Sequence, residues 1–217
     1  MSQYKAVGSH IQLIFQTKFP TFTPDQFSKA LKDKNYIMVQ SQISNPQNPQ
    51  APPIRVQIFS KENVNVFLVQ NKNQIVFQIL NTVNLKTIYQ EISRILLSLN
   101  VLADIILNIG FNFTTKSPAK TEPQKNLTSL VKGSFLKGIA ESVGTNLRVF
   151  SIRLATAFPL GKEGLQVILE PLGTSPRDEY YLNIIYQTTK MDEFNVFVGN
   201  FGEDMIQEII KEVEENV

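Results

Sequence analysis

One pattern of apolar spacing is written twice along this chain, and that repetition limits the available folds more than any other feature. Each copy runs strand, helix, four strands and a longer amphipathic helix, over His10–Asn100 and again over Asp104–Asn216. The 217 residues therefore divide into a first α+β repeat, 1–101, and a second, 102–217. That length lies between one large domain and two small ones, and the two repeats are expected to merge into one compact body.

The first copy opens with Ile11, Leu13, Phe15 and Thr17 alternating with polar or smaller partners, the period of a strand with one apolar face. Thr23-Pro24 reads as a helix start, with proline at the first helical position. Ser44–Pro53 holds four prolines and is expected to be a surface loop. Strands follow at Ile54–Ser60, Val64–Gln70 and Gln74–Asn81, and Leu85, Ile88, Ile92, Ile95, Leu96 and Leu99 then recur at helical spacing behind Asn84, a candidate N-cap. In the second copy a strand through Ile105–Phe113 leads to a helix capped by Asn126. Four strands follow at Leu147–Phe158, Leu165–Leu172, Tyr180–Thr189 and Phe194–Phe201, and the last helix begins at Glu203.

Short links between strands favour antiparallel pairing. The expected fold class is α+β: an internally duplicated, curved antiparallel sheet with its helices on one face. In element order this resembles the duplicated repeat of TATA-binding-protein-like folds.

Two-residue periodicity assigns side chains to the sheet face away from the helices. In the first copy these include Gln12, Gln16, Gln57, Phe59, Asn65, Phe67, Gln74, Val76 and Gln78. In the second they include Asn108, Asn112, Phe150, Ile152, Gln166, Ile168, Tyr181, Asn183, Ile185, Asn195 and Phe197. Charged residues make up only 18% of the chain, so amides take over much of the polar surface. An amide both donates and accepts, and an aromatic ring offers contact area at low entropic cost. The strongest candidates for a binding face are Gln57, Phe59, Asn65, Phe67, Gln78, Phe150, Gln166, Tyr181, Asn183 and Phe197.

Covalent chemistry has little to work with. There is no cysteine and a single histidine, His10, which removes thiol catalysis and leaves no ligand set for a transition metal. Gly161-Lys162-Glu163-Gly164 lacks the spacing of a phosphate loop. No cofactor and no metal are expected. Glu170 and Asp178 are the carboxylates that a hydrolase reading would use. Net charge is +2, but the helix from Glu203 holds six carboxylates against Lys211, so the remainder is mildly basic. The Leu- and Ile-rich stretch Ile95–Phe113 contains Asp104 and changes period near Asn100, so it reads as a buried helix end and strand and not as a membrane span. A cytoplasmic location is expected.

These readings converge on a non-catalytic interaction protein using its amide- and aromatic-rich face, with self-association through that face or a sheet edge. Nucleic-acid binding on the same face is the alternative, although the lysines and arginines form no stripe. A carboxylate-based hydrolase is the third reading.

Overall fold

The computed structural model describes residues 6–43, 54–119, 122–131, 151–156, 163–172 and 179–215. Among these the chain forms one nine-stranded sheet, antiparallel at every pairing, and five α-helices. The strands are β1 (Val7–Thr17), β2 (Ile37–Ile43), β3 (Ile54–Lys61), β4 (Val64–Val69), β5 (Gln74–Leu80), β6 (Ile106–Pro118), β7 (Ile152–Ala155), β8 (Gly164–Pro171) and β9 (Glu179–Thr188). The helices are α1 (Pro24–Lys32), α2 (Leu85–Ser98), α3 (Pro123–Ser129), α4 (Met191–Asn200) and α5 (Glu203–Glu215). Sheet order is β2-β3-β4-β5-β1-β6-β9-β8-β7, so β1 and β6 form the central pair.

Helix ends follow local chemistry. Thr23 and Gln26 close a reciprocal capping box on α1, with Pro24 inside its first turn. At the other end, the Asn35 amide bonds the Lys32 carbonyl and the Tyr36 amide bonds that of Leu31. Helix α2 closes identically through Asn100 and Val101 onto Leu97 and Leu96. Both are Schellman closures, and Asn35 and Asn100 take the left-handed backbone they require, with φ of 65° and 54°. Asn84 makes no side-chain cap to α2. Asn126 is not a cap either: it sits within α3, and its amide donates to the Tyr180 hydroxyl at 2.7 Å.

The helices lie on one side of the sheet. Leu13 and Phe15 of β1, Val66 of β4, Phe77 of β5, Phe111 and Phe113 of β6 and Leu182 of β9 join one core with Phe27, Ile92, Leu127, Phe194, Ile206 and Ile210 from the five helices. Edge-to-face rings pack across it: Phe15 lies 6.0 Å from Phe77 and 5.8 Å from Phe194.

One element departs from the sequence reading. Phe194–Phe201, expected as a strand, belongs to α4 and its C-terminal end. Phe194, Phe197, Val198 and Phe201 recur at the spacing of a helical stripe, and all four pack on the core, whereas Val196 is 65% exposed. Alternation of Phe and Val suggested a strand. The sheet already had its complement of inward rings from β6 and β9, and a helix covers them. The expected strand Leu147–Phe158 is described only at β7, and the proline-rich stretch Ser44–Pro53 lies outside the described residues. No helix among the described residues is long and apolar enough to cross a membrane.

Candidate functional site on the amide-bearing sheet face

Strand register assigns every described sheet residue to a face. Phe59 pairs with Val66, and both are fully buried beneath the helices. Gln57 pairs with Leu68 and therefore shares that side. Phe197 belongs to α4, stacked 4.3 Å from Tyr186. Gln57, Phe59 and Phe197 are thus corrected: they belong to the helix side, because the sequence phase of β3 was off by one residue and α4 is not a strand. Asn195 likewise lies on α4 and accepts from the Tyr89 hydroxyl at 2.8 Å, and Ile152, opposite Leu169, faces the helix-side core. Phe150 lies outside the described residues.

The other side carries no described helix. Asn65, Phe67, Gln78, Gln166, Tyr181 and Asn183 all lie on it, fixed by the pairings Asn65 with Gln78, Phe67 with Val76, Gln166 with Ile185, Asn183 with Thr114 and Tyr181 with Lys116.

At its centre the face has an order that single-residue reasoning missed. Strands β5, β1 and β6 contain Gln74-Ile-Val-Phe-Gln78, Gln12-Leu-Ile-Phe-Gln16 and Asn108-Ile-Gly-Phe-Asn112. Each presents amide, small or apolar residue, amide to the open side, while Leu or Ile and Phe enter the core. The register aligns them into three rows across the strands. Gln78, Gln12 and Asn112 form one amide row, Gln74, Gln16 and Asn108 the other, and Val76, Ile14 and Gly110 run between. The recurring amide-aliphatic-any-Phe-amide pentapeptide was the signal available in sequence.

Several polar atoms here are desolvated without a partner. His10 Nε2, Asn108 Oδ1, Asn112 Oδ1, Asn183 Oδ1 and Gln166 Nε2 are buried and make no hydrogen bond, and all five residues lie on the open face. Only Gln57 and Ser117 show the same on the helix side among the described residues. Each such group costs about 1–3 kcal/mol. Charge is sparse: Lys116 on β6, Arg153 on β7 and Glu170 on β8 flank the amide rows.

Titratable groups with perturbed equilibria lie elsewhere. Burial raises the Tyr36 phenol, reinforced by the Glu91 carboxylate, and burial also raises Tyr89 and Tyr186. Glu193 is held below the usual carboxylate range by its hydrogen bond from Lys190 at 2.7 Å. Of the two hydrolase candidates, Glu170 pairs with Tyr181 on the open face, and Asp178 lies outside the described residues. A groove of about 720 Å³ between β7–β8 and α5 lies on the helix side. Its described carboxylates, Asp204, Glu208 and Glu212, all come from α5, and Asn200 is its only other polar described lining residue. No group of three or more metal-binding side chains occurs among the described residues. Comparison with known proteins finds no family model, no curated protein and no solved structure that matches this chain.

Proposed function

We propose that this is a non-catalytic binding protein whose working surface is the amide-bearing face of the sheet, opposite the described helices. The observation that carries this is the register that sets three amide–apolar–amide triplets in line on that face. Amides there offer donors and acceptors together, and the aliphatic row between them offers apolar contact. The sparse cations favour a neutral polar partner over a nucleic acid, which requires several phosphate contacts.

The same reading accounts for the sheet order. Outward from the central pair, β1, β5, β4 and β3 run in one direction and β6, β9, β8 and β7 in the other. We read this as two copies of one unit, TATA-binding-protein-like in element order, with α4 and α5 in the place of α2. The duplication sets the paired first strands, β1 and β6, at the middle of the binding face.

A photocrosslinking amino acid placed at Ile14, in the apolar row, tests the surface in the native cell. Adducts are expected from position 14 and not from the solvent-facing helix position Lys86. No adduct from position 14 would overturn the assignment.

A further inference from the structure

We infer that the partner on the amide-bearing face is a second copy of this chain, stacked face to face about a two-fold axis along the row Val76, Ile14 and Gly110. The inference rests on the reading of that face as a contact surface and adds what it contacts.

The three central strands are palindromic on the open side. Each bears the same amide at both ends of its amide–apolar–amide triplet: Gln74 and Gln78 on β5, Gln12 and Gln16 on β1, Asn108 and Asn112 on β6. Rotation by 180° about the middle row exchanges the two amide rows and leaves each strand over its own counterpart. Gln12 then faces Gln16 of the other copy, Gln74 faces Gln78, and Asn108 faces Asn112, because the register keeps all three strands in line. Val76 and Ile14 meet themselves on the axis, and Phe67, next in that row on β4, does the same.

Amides suit this arrangement because each carries both a donor and an acceptor, so like pairs with like. Two-fold interfaces demand such self-complementarity, and a dissimilar partner gives no reason for each strand to repeat its own amide. Gly110 adds no side chain on the axis, and among the described residues a Cβ there would make only ordinary contact with Ile14, at 3.6 Å.

Size and charge both bear on the pairing. At about 4.8 Å per strand, the nine-stranded face is about 40 Å wide. Over five residues of strand length, about 17 Å, the whole face offers at most about 650 Å², of which the matched rows on β4, β5, β1 and β6 supply about half, against roughly 800 Å² per partner of a standard interface. The three rows contain no charged side chain, so stacking brings no like charges together. Aligned sheets pack about 10 Å apart, within reach of two opposed glutamines.

Two double variants with charges at the same positions test the geometry. Gln12→Glu/Gln16→Glu sets carboxylate against carboxylate across the axis, and Gln12→Glu/Gln16→Lys sets carboxylate against ammonium. Sedimentation velocity at about 10 µM, alongside far-ultraviolet circular dichroism to verify folding, is expected to show a dimer for the parent chain and the Glu/Lys variant. The Glu/Glu variant should be a folded monomer, with its dimer dissociation constant raised at least about 100-fold. A monomeric parent chain, or two variants that behave alike, would overturn the proposal. The crosslinker at Ile14 separates the causes: a monomer that still forms adducts with another molecule refutes only the second copy, and one that forms none refutes the contact surface as well.

Discussion

Among the described residues, four of the five non-glycine residues with positive φ are asparagines: Asn35, Asn73, Asn81 and Asn100, the fifth being Glu62. Asparagine tolerates the left-handed region better than most residues, and here it ends helices and precedes or follows strands. Other asparagines serve differently. Asn108, Asn112 and Asn183 hold buried, unpartnered oxygens on the open face, and Asn126 bonds the buried Tyr180 hydroxyl. Residue type alone does not separate these uses; the strand period does, because it states which amides point away from the core. At this scale the alkaline limit of the fold is set in part by Tyr36, which is 3% exposed, with the Lys61 ammonium 5.4 Å over its ring and Glu91 beside it. Its folded-state pKa lies above the ordinary value of 10, so its share of stability is complete below pH 10 and is lost as the pH rises further. Urea denaturation from pH 9 to 11 should show that decline. In Tyr36→Phe the decline should be shallower, and an unchanged slope would refute the assignment.

Elements were legible where pattern and local chemistry agree. Thr23, Pro24 and Gln26 mark the start of α1 in sequence and in structure, and the helix carries its capping box. Thr23→Ala is expected to lower stability by about 1 kcal/mol, measured as a lower urea midpoint with an unchanged m-value. No change in midpoint would mean that packing of Phe27 and Leu31 holds α1 without the cap. Helix α4 shows the opposite case. Met191–Asn200 is rich in Phe and Val, and both a strand period and a helical stripe can be traced through Phe194 and Val198. Tertiary packing chose the stripe, setting Phe194 against Phe15 at 5.8 Å and Phe197 against Phe111 at 4.9 Å. The phase of β3 was similarly beyond sequence reasoning. Gln57 and Phe59 alternate with Val56 and Ile58, so both faces offer apolar residues, and only pairing with β4 decides which is inward.

The whole molecule holds together through the β1–β6 pairing and one continuous core, in which Phe15 from the first half, itself against Phe77, meets Phe194 from the second. Tyr89 on α2 adds its bond to Asn195 on α4. A shared sheet and core predict one cooperative transition: unfolding followed by far-ultraviolet dichroism and by tyrosine fluorescence should coincide, and two separated transitions would contradict it. By itself the sequence determined the α+β class, the approximate positions of most described strands and helices, and the abundance of amides among the outward positions. Those follow from local periods and turn chemistry, which act over a few residues. Only the tertiary structure decided that β1 lies between β5 and β6, and so that three similar pentapeptides far apart in the chain form two amide rows flanking an apolar one. Register between distant strands depends on which faces are buried together, and no local pattern encodes that.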